Sequence, residues 1–138
     1  MTWLSYALLG ALAASATAIL AKIGLDGIPS NLAMAIRTTV VLLLAWVLVF
    51  ARGEQVAIPQ LSGRAWLALT LSGIATGASW LAYFKALSLA PAVRVAPVDK
   101  LSLVFTLALA WLILGESLNL RSLAGAALMV AGAVLTIS

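Results

Sequence analysis

The sequence contains no cysteine and no histidine. Disulfide bonding and thiol redox chemistry are therefore excluded, together with the usual zinc and haem ligand sets. Most nucleophile–base pairs of enzymes draw on these same residues. No enzymatic role is expected, and no catalytic residue, metal site or cofactor is assigned. Acidic residues are scarce too, four against eight basic ones, for a net charge of +4. The basic residues stand singly near the ends of apolar runs, with no patch interleaved with aromatics, which argues against nucleic acid as a partner. Charged residues of either sign make up only 9% of the 138 residues, and 64% are apolar. A water-soluble domain carries roughly a quarter of its residues charged. This chain cannot cover itself against water, and membrane lipid is its expected surrounding.

Five apolar runs are present, at about residues 2–21, 32–51, 65–87, 92–114 and 120–137. Each is close to the roughly 20 residues that cross a hydrocarbon core of about 30 Å. The expected fold class is an all-α membrane protein of five transmembrane helices, with residues 1–138 forming a single multi-pass domain. Ala14-Ser15-Ala16 fits a signal-peptide cleavage site, but no basic residue precedes the run and the run continues to Ala21. A retained first helix is expected. Gly24, Gly27 and Pro29 break the first connection; Gly53, Pro59 and Gly63 the second; Pro91 the third; Gly115 to Asn119 the fourth. Connections this short make sequential helices antiparallel neighbours. Trp3, Trp46, Trp66 and Trp111 lie near run ends and read as interfacial belt residues.

An odd number of crossings places the termini on opposite sides. Arg52, Arg64 and Arg121 share the side of the N-terminus, while Lys22, Arg37, Lys85, Arg94 and Lys100 belong to the other. Leaving out Arg37, Lys85 and Lys100, which sit nearer the membrane, reverses the balance. The positive-inside bias is weak, as in a protein that inserts both ways. Gly73 and Gly77 form a GxxxG spacing, and Gly125 and Gly132 lie two turns apart, so all four are candidate helix-packing positions.

Polar groups inside lipid are costly, which makes them informative. Asp99, Ser102 and Thr106 are spaced by three and four and share one face of the fourth helix, just after Pro97, which is expected to kink it. The other reading makes Asp99 and Lys100 interfacial. Ser72, Thr76, Ser79 and Tyr83 form a matching face on the third helix, with Trp80 beside it and Phe84 one turn beyond; back-bonded hydroxyls and a belt are the alternative. Arg37, roughly one turn into the second helix, either holds a substrate carboxylate, pairs with Asp99 or Asp26, or snorkels to the surface. Lys22 reads as an anchor. The candidate substrate-binding set is Arg37, Ser79, Trp80, Tyr83, Asp99, Ser102 and Thr106, with Asp99 the candidate proton-coupling group.

The stretches KALSLAPAVRVAPVDKLSLVF, LAWLILGESL and LAGAALMVAGAVL resemble the EamA family of the drug/metabolite transporter superfamily. Trp111 to Glu116, ahead of a Gly/Ala-rich last helix, is the most specific part, and Pro97 to Ser102 resembles the five-helix bacterial and archaeal subgroup. The resemblance implies one complete EamA-type repeat, where larger members carry two in inverted topology. It implies a secondary transporter, exporting small metabolites or drugs across the cytoplasmic (inner) membrane of a prokaryote by alternating access. A single repeat needs a second half, expected as a homodimer with antiparallel packing favoured over parallel, or as a second half-size transporter. The competing readings are a non-transporting membrane subunit of another complex, and a flippase for lipid or lipid-linked sugar.

Overall fold

A computed structural model describes residues 2–137 of the chain. Helices follow the apolar runs: α1 (Trp3–Gly24), α2 (Ser30–Ala51), α3 (Gly63–Leu89), α4 (Ala92–Asp99), α5 (Ser102–Leu109) and α6 (Leu120–Ile137). No strand occurs among the described residues. α1, α2, α3 and the segment Ala92–Leu114 are long and apolar enough to cross a membrane, and α6 is a shorter apolar helix. The protein is an all-α membrane protein.

The helix ends are set by local chemistry. Ser62 Oγ accepts the Ala65 N–H at 3.2 Å, and Asn119 Oδ1 accepts the Ser122 N–H at 2.7 Å, each bonding the third residue of the helix it starts. Pro29 and Pro91 precede α2 and α4, where a missing N–H leaves nothing unpaired. α1 runs three residues past the expected end at Ala21, stopping only at Gly24 before Gly27 turns the chain at φ 68°. The second connection, expected as a polar loop, contains a 3₁₀ helix, Glu54–Gln60, entered through Gly53 at φ 70°.

The fourth run is not one helix. Pro97 lies within α4, and the interruption follows at Lys100 and Leu101. There the N–H groups of Lys100, Leu101, Leu103 and Val104 bond carbonyls three residues back, so the chain is tightened rather than unwound. Pro97 also leaves the Val93 carbonyl without its helical donor. The run closes with a π-helical turn, Ala110–Leu114, and the Ala110 carbonyl accepts the N–H groups of both Gly115 and Glu116. Gly115 has φ 68°, a conformation that an L side chain adopts only at a cost of about 1–2 kcal/mol. Gly115→Val should therefore lower thermal stability in detergent, whereas Gly10→Ala, in mid-helix with open space around it, should not.

By packing, the chain divides into two units, Leu20–Ser88 and a second made of the first 19 residues with Leu89 onward, the boundary falling inside α1. In the first, Leu25, Phe84 and Leu87 are buried; in the second, α4 packs on α6, and Ala18, Val95 and Ala133 are buried. Elsewhere the large apolar side chains face outward, and α2 buries none of its residues. A helix apolar all round and exposed all round is a lipid-facing helix.

Candidate functional site

The candidate residues fall into one group in each unit. In the unit Leu20–Ser88, α2 supplies Arg37 and α3 supplies Ser79, Trp80, Tyr83 and Phe84. The Arg37 guanidinium carbon lies 4.3 Å from the centroid of the Trp80 ring and 5.6 Å from that of Phe84. Trp80 and Phe84 are four residues apart on α3, so both rings meet one cation. Phe84 is buried and meets Tyr83 edge-on with centroids 6.5 Å apart. Arg37 and Trp80 are half-buried. Rings attract the cation but offer no oxygen acceptor. Arg37 makes no ion pair or hydrogen bond among the described residues. The Arg37 side chain is laid against the Trp80 and Phe84 rings of α3.

The same unit holds a second arrangement. Lys22 Nζ, at the end of α1, donates a hydrogen bond to the Leu87 carbonyl near the end of α3. A cation there faces the carbonyl end of a helix dipole. It borders an open cleft of about 480 Å³ lined by Lys22, Ile23, Leu25, Asp26 and Ser88.

In the other unit, Asp99 ends α4, half-buried, and its carboxylate meets Lys100 Nζ at 3.1 Å. Ser102 opens α5 and Thr106 lies one turn on. The Thr106 hydroxyl donates to the Ser102 carbonyl at 2.9 Å, which leaves only its lone pairs for a ligand. Thr76 is back-bonded to Ser72 in the same way on α3.

The sequence profile of the EamA-like transporter family matches residues 1–138. The chain belongs to this family. A relative from Sinorhizobium sp., named an uncharacterized transporter in the cobO 3′ region, is 49% identical over 134 residues, which are 97% of this chain and 95% of the relative. No solved structure matches. The resemblance to the EamA family is thereby established, and this EamA-like chain is a multi-pass membrane protein of a transporter family.

Within this EamA-like chain Arg37 and Trp80 are brought together, and Phe84, expected on the same α3 wall but not in the substrate-binding set, joins them. Only a spacing signal could have found it: Phe84 is four residues after Trp80. Ser79, exposed, and Tyr83, half-buried, accompany Trp80 on α3. Lys22, read as an anchor, also ties α1 to α3. A Cβ built at Gly73, Gly77, Gly125 or Gly132 would meet no heavy atom within 4 Å, so a single chain fills none of these helix-packing positions.

Proposed function

We propose that this protein is a secondary transporter of small molecules, working as an exporter in the cytoplasmic membrane of a prokaryote by alternating access. The observation that carries the reading is the interruption of the fourth apolar span at Lys100 and Leu101, directly after Asp99. Secondary transporters place their substrate and ion sites at such discontinuous helices, and a charge there is seldom structural decoration. Asp99 is seven residues into the segment that begins at Ala92, and Arg37 is seven residues into α2, which begins at Ser30. Seven residues of helix span about 10 Å. Each charge therefore lies about two turns inside its own apolar segment.

In this reading Arg37, Ser79, Trp80, Tyr83, Asp99, Ser102 and Thr106 are the substrate-binding residues, and Asp99 couples the movement to protons. Residues 1–138 act as one repeat, and the second repeat is another copy. Gly73, Gly77, Gly125 and Gly132, with open space above each, are where its helices approach. Two copies in opposite orientation would reproduce an inverted-repeat transporter.

The test is transport by the purified protein in liposomes, using radiolabelled amino acids and organic acids as probes. Trp80→Ala should weaken the apparent affinity for a transported probe by about tenfold, the scale of a desolvated cation–π contact. Unchanged transport in both Trp80→Ala and Asp99→Asn would remove the cavity assignment.

A further inference from the structure

We propose that Arg37, held on Trp80, is a receptor for a carboxylate, so that the substrates of this protein are organic acids or zwitterions bound through their carboxylate. The proposal rests on the transporter reading and names the substrate class of the same site.

The starting point is a cation that has no ion-pair partner within its own unit among the described residues. Arg37 carries its charge at any physiological pH and lies about 10 Å along α2 from Ser30, where an apolar surrounding makes an unpaired charge costly. The only acidic residues in Leu20–Ser88 are Asp26 and Glu54. Glu54 lies 3.9 Å from Arg52. Asp26 lines the cleft at the α1–α2 turn. Neither forms an ion pair with Arg37. What Arg37 has instead is the face of Trp80 at 4.3 Å and Phe84 at 5.6 Å.

That arrangement has two chemical consequences. The rings fix the guanidinium, yet they accept none of its five N–H groups through an oxygen, so the donor fork is kept for something else. The group that matches a planar fork is a carboxylate, bound by two parallel charge-assisted hydrogen bonds. The ring face that would otherwise attract a cationic substrate is also already taken by a cation, and a second positive charge would meet repulsion rather than attraction. Phe84 is buried, so the exposed part of the pair is Trp80, which is half-buried. An acid with an apolar or aromatic body suits both parts.

The experiment uses full-length protein purified in detergent and three probes of nearly equal shape: benzoate, benzamide and benzylamine. Isothermal titration calorimetry should rank benzoate above benzamide, with benzylamine weakest. Arg37→Gln should weaken benzoate by about 10- to 100-fold, bringing it to the level of benzamide, because a hydrogen-bonded charge is lost. Benzamide binding should persist, which also reports that the variant is folded. Arg37→Lys keeps the charge and the ring contact without the fork, and should lose part of the preference for benzoate; it serves alone where the glutamine variant does not fold. A site that prefers benzylamine, a preference for benzoate that survives Arg37→Gln, or no benzoate binding at all would each overturn the proposal. Transport separates the two readings. Arg37-dependent benzoate binding without flux of any probe would keep the receptor and remove the transporter. Flux of an amine indifferent to Arg37 would do the reverse.

Discussion

Asp99→Asn is expected to abolish accumulation driven by a pH gradient, to the level of protein-free liposomes, while downhill exchange of substrate between the two faces continues. Asparagine keeps the size of the side chain and loses both its charge and its capacity to carry a proton. Asp99 is the residue for which this distinction matters. It ends α4 at the interruption of the fourth span, and its carboxylate is 36% exposed beside Lys100 at 3.1 Å. A carboxylate beside an interruption in a membrane span is a default candidate for a proton relay. Asp99→Glu should retain some accumulation. Should the asparagine variant accumulate substrate normally, Asp99 is only a partner that neutralises Lys100, and coupling lies elsewhere.

The second large effect concerns orientation. The chain has no cysteine, so a single one placed at Thr2, and separately at Ser138, is a clean reporter. Labelling intact cells with a membrane-impermeant maleimide should modify about half of the molecules at each position, the outcome of a weak positive-inside bias. Half labelling at both ends fits an antiparallel homodimer. Complete labelling at one end and none at the other means that all copies point one way. The antiparallel homodimer is then gone, and a parallel dimer or an oppositely oriented partner takes its place.

Much of the fold was legible because lipid imposes a simple rule on sequence: apolar runs of crossing length, separated by breakers. The run at residues 120–137 became α6 with no change of bounds, capped by Asn119. The departures come from contacts that one-dimensional patterning does not carry. α1 extends to Gly24 because nothing before it breaks the helix, and Lys22 in its last turn finds the Leu87 carbonyl across the unit. The interruption at Lys100 and Leu101 lies just beyond Pro97, where bonding to the third residue back replaces bonding to the fourth. The aromatic setting of Arg37 depends on α2 bringing its guanidinium to two rings of α3; only the i, i+4 spacing of Trp80 and Phe84 was visible in advance. The shared face of Asp99, Ser102 and Thr106 was readable, but the back-bond from Thr106 to Ser102, which turns a hydroxyl into an acceptor, depends on a rotamer.

The most direct test of the central claim is reconstitution of this chain alone. Purified protein, with no other polypeptide present, is placed in liposomes, a pH gradient is imposed, and uptake of radiolabelled organic and amino acids is followed against protein-free liposomes. Saturable uptake that collapses with the gradient is the predicted result. No flux of any probe from a folded preparation, together with a different membrane protein that co-purifies from the native membrane, would contradict it and make the chain a subunit of another complex.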